Sequence, residues 1–205
     1  MHLLSRHLTG LFDFTGRENR QPFWLWVLIT YAAQYVVGTL ISIPLMMASF
    51  QNMQPLFGRD PKSFDQHPEL MMHAMEPMFR WGMIVNAILM LAMLLLLAAA
   101  VVRRLHDSDR SGWWASPVFA TQIATPILFA TIFPAMFETF AKVRPNMAPA
   151  ETNAAFAPTM QSFTLLWSVG MLGFLLTIVL IVFLVLPGTV GPNRFGDDPL
   201  TPPFH

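Results

Sequence analysis

Four long apolar runs dominate the pattern of hydrophobic and polar positions along the chain. They contain no Asp, Glu, Lys, Arg or His, and they cover residues 23–50, 81–102, 113–137 and 163–186, with lengths of 28, 22, 25 and 24 residues. A helix needs about 20 apolar residues to cross a hydrocarbon layer about 30 Å thick. The pattern therefore predicts an all-α integral membrane protein with four transmembrane helices, the first including an interfacial turn beyond Pro44.

The overall composition agrees with a membrane protein. The chain is 54% hydrophobic and 12% charged, whereas soluble domains carry about 25% charged residues. Its formal net charge is zero, so no overall field attracts nucleic acid. It contains no cysteine, which excludes disulfides and thiolate metal sites. We expect neither a cofactor nor a bound metal.

The basic residues between the runs predict the orientation. With four spans, the N-terminal tail, the central loop 103–112 and the C-terminal tail share one side and hold seven of the twelve basic residues. The central loop is short and dense in Arg, and short loops weigh most in the positive-inside rule. We expect both termini in the cytoplasm and three parts, namely a tail over residues 1–22, a transmembrane domain over 23–186 and a tail over 187–205.

The N-terminal tail has the periodicity of a short helix. Apolar residues lie on one helical stripe, formed by Leu4, Leu8, Leu11 and Phe12. Arg6 and His7 are expected on other faces, and this pattern is typical of an amphipathic helix at a membrane surface. A partly ordered tail is the alternative interpretation. Pro22 disturbs any helix that begins much earlier than the first span. We therefore expect Asn19 to cap the first span.

The segment between the first two runs is rich in soft metal ligands. It contains three methionines at intervals of three and two nearby histidines, namely Met72, Met75, Met78, His67 and His73. Thioethers and imidazoles suit Cu(I). Methionine also fills gaps where a loop packs against its surroundings, and the spacing is a weak metal signal. Packing is the favoured interpretation.

The central loop "RRLHDSDRSGWW" concentrates charge between two apolar runs. Arg103 and Arg104 suit the C-terminus of the second span. Asp and Ser side chains bond to nearby backbone in turns, and Asp109 or Ser111 can cap the third span. The paired tryptophans, Trp113 and Trp114, suit an interfacial anchor.

A metal site is the competing interpretation of this loop. His106, Asp107 and Asp109 are ligand types for a divalent cation. They are clustered without a distant partner, so the signal is unspecific. We expect His106 to be structural.

Two further motifs flank the first and fourth runs, "TGRENRQPFW" and "PGTVGPNRFGDDP". With the central loop they resemble the bacterial inner-membrane family called domain of unknown function 805. The first family motif corresponds to Gly16, Arg17, Arg20, Phe23 and Trp24. The central one corresponds to Arg103, Arg104, His106, Asp107, Ser111, Gly112, Trp113 and Trp114, and the last to Gly188, Gly191, Asn193, Phe195, Gly196, Asp198 and Pro199. The resemblance implies location and architecture more than activity.

The charges of the three motifs nearly cancel. Six arginines face five acids, which leaves +1; the arginines are Arg17, Arg20, Arg103, Arg104, Arg110 and Arg194, and the acids are Glu18, Asp107, Asp109, Asp197 and Asp198. A site that grips polyanions should be strongly positive, whereas a self-satisfying network should be nearly neutral. We therefore predict an electrostatic clasp between the motifs. Its expected pairs are Arg17, Arg20 or Arg194 with Asp107 or Asp109, and Arg103 or Arg104 with Asp197 or Asp198, shielded by Trp113 or Trp24.

The predicted function is a binding, adaptor or structural component of the bacterial inner membrane, not an enzyme. Expected partners are membrane lipids, including an anionic headgroup, and a membrane protein or second copy, but no nucleic acid. A small transporter or channel subunit that uses Pro117, Pro126 and Pro134 of the third span is the alternative. Ion-coupled transport generally needs ionisable groups at membrane depth, and the runs have none. A lipid-modifying enzyme built around His106 and Asp107 comes third.

Overall fold

The structure, a computed structural model, describes residues 2–56, 68–143 and 146–200. Over these ranges the chain forms helices and connecting turns and no strand. The α-helices are α1 His2–Thr9, α2 Arg20–Met53, α3 Pro68–Asp107, α4 Ser116–Lys142 and α5 Pro149–Val185. Short 3-10 helices follow α2 at Gln54–Leu56 and precede α4 at Gly112–Ala115.

Helices α2 to α5 are each long and apolar enough to cross a membrane. The predicted runs lie within these helices, except that the third begins in the 3-10 helix before α4 and the fourth ends one residue beyond α5. This confirms the all-α class and the four candidate spans. The orientation of the termini and the division at residues 22 and 186 stay predictions.

The segment considered for Cu(I) falls largely outside the described part of the chain. His67 lies outside the described residues, and the side chains of Met72 and His73 are not described. The preference for packing over metal binding there stays a prediction.

The chain divides into two compact units. The motif unit comprises Met1–Val36, Leu89–Ile123 and Met171–His205, and the second unit comprises Val37–Ile88 and Ala124–Gly170. Every residue of the three sequence motifs therefore belongs to the motif unit. Each of the four long helices contributes a segment to both units.

The motif unit has one hydrophobic core to which all four long helices contribute. Its buried residues are Phe23, Trp26, Ala100, Val101, Leu105, Ala115, Val118, Leu180 and Leu184. The Trp26 indole donates to the Leu96 carbonyl at 2.9 Å, which satisfies the one polar atom that the ring brings into the core. A Cβ on Gly173 would lie 2.8 Å from the Thr121 hydroxyl, so glycine permits the close approach of α4 and α5 there.

The second unit is held together by aromatic packing and a hydroxyl pair. Phe79 and Phe129 pack against Phe133, with ring centroids 4.8 and 5.5 Å apart. The hydroxyls of Thr139 and Thr159 are 2.8 Å apart. Helix α4 continues through Pro126 and Pro134 without ending.

Candidate functional site

The three motifs meet around the C-terminal end of α3. This end is closed by a turn in which Asp109 has a φ of 54°. The Asp109 N–H donates to the His106 carbonyl at 3.0 Å, and the Arg110 N–H donates to the Leu105 carbonyl at 2.9 Å. These two bonds define a Schellman motif, with Asp109 in the left-handed position that Asp tolerates better than most residues. The turn leaves Asp107 buried and Asp109 exposed.

Asp107 accepts hydrogen bonds from two guanidinium groups, one at each oxygen of its carboxylate. Arg17 donates through Nε and Nη2 to Oδ1 at 3.2 and 3.1 Å, and Arg104 donates through Nη1 to Oδ2. All three side chains are at most 4% exposed. Hydrogen bonds between ionised donors and acceptors are among the strongest in proteins. One buried carboxylate therefore joins the N-terminal motif to the central one.

Backbone carbonyls at the end of α5 and in the C-terminal motif accept the other hydrogen bonds of these two arginines. Their remaining N–H groups donate to backbone carbonyls: Arg17 to Gly191 and Thr189, both at 2.6 Å, and Arg104 to Leu184 at 2.9 Å and to Leu186. The Thr189 N–H in turn donates to the Asp107 carbonyl at 2.8 Å. The last turn of α5 leaves carbonyls without helical partners, and Arg104 supplies the missing donors.

Glu18 forms a second buried centre. Its Oε1 accepts a hydrogen bond from Nε2–H of His7, and its Oε2 accepts a hydrogen bond from Nε–H of Arg103 at 3.0 Å. The His7 ring stacks on Trp26 with centroids 4.7 Å apart. Arg103 Nη1 donates to the carbonyls of Gly10 at 3.0 Å and Asp13 at 2.5 Å. These bonds fasten the N-terminal tail, from His7 to Glu18, to Arg103 of α3.

His106 links the first motif to the last. Its Nδ1 lies 3.2 Å from the Gly16 carbonyl, and because a carbonyl only accepts, Nδ1 carries the proton. The imidazole stacks on Phe195 with centroids 3.8 Å apart and planes at 4°. The Asn193 amide donates to the His106 carbonyl at 2.9 Å. His106 thus has structural contacts on its ring and its backbone.

The C-terminal motif is folded into a tight turn. Gly191 and Gly196 have φ of 79° and 134°, which side-chain-bearing residues rarely adopt. Their carbonyls face Arg17 Nη1 at 2.6 and 3.5 Å. Asp198 accepts the N–H groups of Leu200 and Gly191 at 2.9 and 3.0 Å, and these bonds, that of Leu200 first, lower the pKa of its carboxyl.

A fourth carboxylate–guanidinium pair of the motifs lies at the surface. Arg194 Nε is 3.1 Å from Asp109 Oδ1, with the side chains 61% and 48% exposed. Arg194 also donates to the Asp109 carbonyl at 2.9 Å, and its guanidinium lies 4.7 Å from the centre of the Phe195 ring. This solvent-exposed pair is a further connection between the central loop and the C-terminal tail.

The structure brings together part of the predicted clasp and changes the rest. Arg17 pairs with Asp107 and Arg194 with Asp109, as expected. The expected pairing of Arg103 and Arg104 with Asp197 or Asp198 is wrong, because those arginines bind Glu18 and Asp107 instead. Acids nearer in the fold satisfy them, while Asp197 is exposed and the half-buried Asp198 accepts backbone N–H groups of its own turn.

The remaining predicted residues lie at the margin of the cluster. Arg20 is exposed and forms no ion pair within the residues that the structure describes. Trp113 is 80% exposed and does not shield the buried pairs. Trp24 is half-buried and packs edge-on against Phe23. The tryptophan that packs on the buried cluster is Trp26, whose ring stacks on His7.

Sequence reasoning missed His7 and undervalued Glu18. His7 was expected away from the apolar stripe, yet it is 2% exposed. The sequence carried no local signal of this burial, because it comes from packing against Trp26 of α2. Glu18 directly precedes Asn19, whose carbonyl accepts the Phe23 N–H at 3.3 Å. Asn19 is therefore the residue at the start of α2, as predicted, and Glu18 is free for Arg103.

The buried carboxylates are engaged by cations of the protein itself. Within the described ranges, no three His, Asp or Glu side chains converge as metal ligands. Within the same ranges, no buried side-chain nitrogen or oxygen is without a hydrogen-bond partner. Asp107, the acid at the centre of the loop, is shared by two guanidinium groups, so its charge is already compensated.

Four membrane-length helices and a buried polar cluster define a small multi-pass, all-helical membrane protein. The chain belongs to the family described as Protein of unknown function (DUF805), whose sequence model matches residues 11–197. No curated protein and no solved structure matches the chain. The family assignment confirms the resemblance carried by the three motifs.

Proposed function

We propose that this chain is a protein of the bacterial inner membrane whose motifs form a rigid cytoplasmic platform for a partner. The clasp, defined as Arg17, Arg103, Arg104 and Asp107 with Glu18, is the structural element of that platform. The proposal rests on the sharing of the Asp107 carboxylate between Arg17 and Arg104. The C-terminal segment lies against this pair, because the Gly191 carbonyl accepts from Arg17 and the Thr189 N–H donates to the Asp107 carbonyl. Its role is to hold both tails in one conformation.

The closed state of the clasp supports binding over catalysis. A general base must reach a substrate proton at hydrogen-bond distance. Asp107 and Glu18 are 3% and 1% exposed and already accept hydrogen bonds from arginine. Neither carboxylate has an open side from which it could reach the proton of a substrate. These residues suit a permanent structural role.

The outer surface of the C-terminal motif suits a partner. The segment from residue 187 to 200 is fixed on its inner side by Arg17 and His106. On its outer side Val190 is 98% exposed and Leu200 is 71% exposed. A surface whose backbone is already ordered loses little conformational entropy on binding. The partner is a membrane protein or a second copy of this chain.

Site-specific photocrosslinking in native membranes tests the proposal. A photoreactive residue at Val190 should give one dominant protein adduct, identified by mass spectrometry. The adduct should disappear in the Asp107→Asn background, where the platform loosens, and persist in the matched Asp109→Asn background. Absence of any adduct at Val190 and at Leu200 contradicts the adaptor role. Solute flux through proteoliposomes of the purified protein would favour the transporter alternative instead.

Labelling of single cysteines tests the orientation, because the chain has no native cysteine. Asp197→Cys and Asn153→Cys each replace an exposed residue. An impermeable thiol reagent should label Asn153→Cys in spheroplasts and Asp197→Cys only in inverted vesicles. Labelling of both from the same side overturns the proposed orientation.

A further inference from the structure

The clasp leaves two motif arginines without a carboxylate. Arg17, Arg103 and Arg104 bind buried acids, and Arg194 binds Asp109. Arg20 and Arg110 form no ion pair within residues 2–56, 68–143 and 146–200. A charge that the protein does not compensate attracts anions from outside, most strongly where the surroundings are poor in water.

Arg110 is held in a defined position. As the residue after Asp109 in the Schellman turn, its backbone is fixed by the bond to Leu105. Its guanidinium lies 4.6 Å from the centre of the Phe183 ring, and Nη1 donates to the Ser108 carbonyl at 3.3 Å. These contacts orient the group and use one of its five N–H donors. Arg20, by contrast, has no comparable aromatic support in the described structure.

One of the two exposed tryptophans packs on the same ring as Arg110. Trp114 packs edge-on against the same Phe183 ring, with centroids 5.3 Å apart. Trp113 and Trp114 remain 80% and 55% exposed. A Cβ on Gly112 would lie 2.7 Å from a Val102 methyl, so the loop can lie against α3 only because glycine stands there. Arg110 and the Trp114 indole therefore share the Phe183 ring, and the exposed Trp113 precedes Trp114 in the chain.

The position of this surface along the helices indicates its surroundings. The membrane-length helical segment that contains α4 begins at Gly112, and Phe183 lies in the last turn of α5, which ends at Val185. The ends of transmembrane helices lie at the level of the lipid headgroups, where tryptophan is enriched. Arginine at this level donates two parallel hydrogen bonds to a phosphate.

We propose that Arg110, Trp113 and Trp114 form a binding site for the headgroup of an anionic phospholipid. Arg110 donates to the phosphate oxygens, while the indoles contact the glycerol region and the upper acyl chains. The inference rests on the membrane location in the proposed function but not on the adaptor role. It places lipid recognition outside the clasp, on Arg110, which the Phe183 ring supports and which forms no ion pair within the described residues.

Native mass spectrometry of the full chain in detergent tests this site. Phosphatidylglycerol and phosphatidylcholine with identical acyl chains are titrated separately. Wild type should bind the first phosphatidylglycerol about fivefold more tightly than phosphatidylcholine, the ratio expected for one Arg at an anionic surface. Arg110→Gln should abolish the preference, and Arg110→Lys should keep part of it, because the charge remains without the fork.

Arg194→Gln is the matched control, because Arg194 is an exposed motif arginine that already has a carboxylate partner. It should keep the wild-type preference. If Arg110→Gln keeps the preference, or if Arg20→Gln alone abolishes it, the assignment to Arg110 is wrong. Competition by millimolar inorganic phosphate would also overturn it, since the site would then take a free anion. Because crosslinking at Val190 does not depend on Arg110, failure of this site leaves the adaptor test intact.

Discussion

Asp107 and Asp109 lie two residues apart at the end of α3, and each receives an arginine from a tail. The Asp107 side chain is 4% exposed and is shared by Arg17 and Arg104. The Asp109 side chain is 48% exposed and pairs with Arg194 alone. The residue types and distances are nearly the same, but the solvent is not. Burial, rather than the presence of a salt bridge, decides which contact holds the tails.

The buried pairs of Asp107 and the exposed pair of Asp109 differ in the cost of removing one partner. A buried ion pair adds little net stability relative to apolar residues of similar size, because both charges lose their hydration. Loss of one partner leaves the other buried and uncompensated, which is expensive. An exposed pair is replaced by water at small cost. The buried clasp therefore enforces one arrangement of the tails.

The largest expected effect comes from Asp107→Asn. The change leaves Arg17 and Arg104 buried without a counter-charge and should lower the free energy of unfolding by about 3–5 kcal/mol. Asp109→Asn is the matched control and should lower it by about 0–1 kcal/mol. Thermal and denaturant unfolding of the detergent-solubilised protein measures both. Equal effects of the two variants would show that burial does not distinguish the sites.

Glu18→Gln should have a smaller and more local effect. Gln keeps the shape but gives the buried Arg103 no charge and replaces one acceptor oxygen with a donor, at a cost of about 1–3 kcal/mol. Hydrogen exchange should rise over residues 2–14, which Glu18 fastens through His7 and Arg103. Exchange around Asp107 should stay near the wild-type rate. Uniform loss of protection would mean that the two buried centres form one cooperative unit.

Gly188→Ala tests how closely the C-terminal tail approaches the buried acid. A Cβ at this position would collide with the Asp107 carboxylate, and overpacking of this kind costs about 1–3 kcal/mol. Gly170→Ala is the control, because a Cβ there meets no atom within 4 Å. Unfolding measurements on the two variants should differ in sign or clearly in size. If Gly188→Ala is neutral, the tail can move away from Asp107 without loss.

The smallest expected effect is the acid response of the exposed turn at Asp198. Hydrogen bonds from Leu200 and Gly191 hold the folded-state pKa of this carboxyl below its ordinary value of 3.8. Its contribution to stability is therefore present above that value and is lost as the pH falls through the lower folded-state pKa. Asp198→Asn should melt slightly below wild type at pH 7, and the gap should narrow at pH 3. A gap that is unchanged at pH 3 would contradict this role.

The spans and the nearly neutral charge of the motifs could be predicted, while half of the ionic partners could not. Helix α2 begins after Asn19, because a cap and a following apolar run are local signals. The partner of Arg103 is instead Glu18, which is separated from it by 85 residues. Charge counting states that arginines and acids match in number, but it carries no distances. His7 was missed for the same reason, since its burial depends on Trp26 of another helix.

The sequence alone determined that four helices can cross a membrane, because the length and charge of each run decide that locally. It also determined which residues are available to join the tails to the central loop. Only the tertiary structure decided that Asp107 is shared by two arginines whereas Asp109 is left in water. The physical reason is the position of the Schellman turn at the end of α3. Asp107 lies before the turn and is packed against both tails, whereas Asp109 lies in the turn and is exposed to solvent. Burial determines how strongly the loss of a charged partner destabilises the protein, and burial depends on how the whole chain packs.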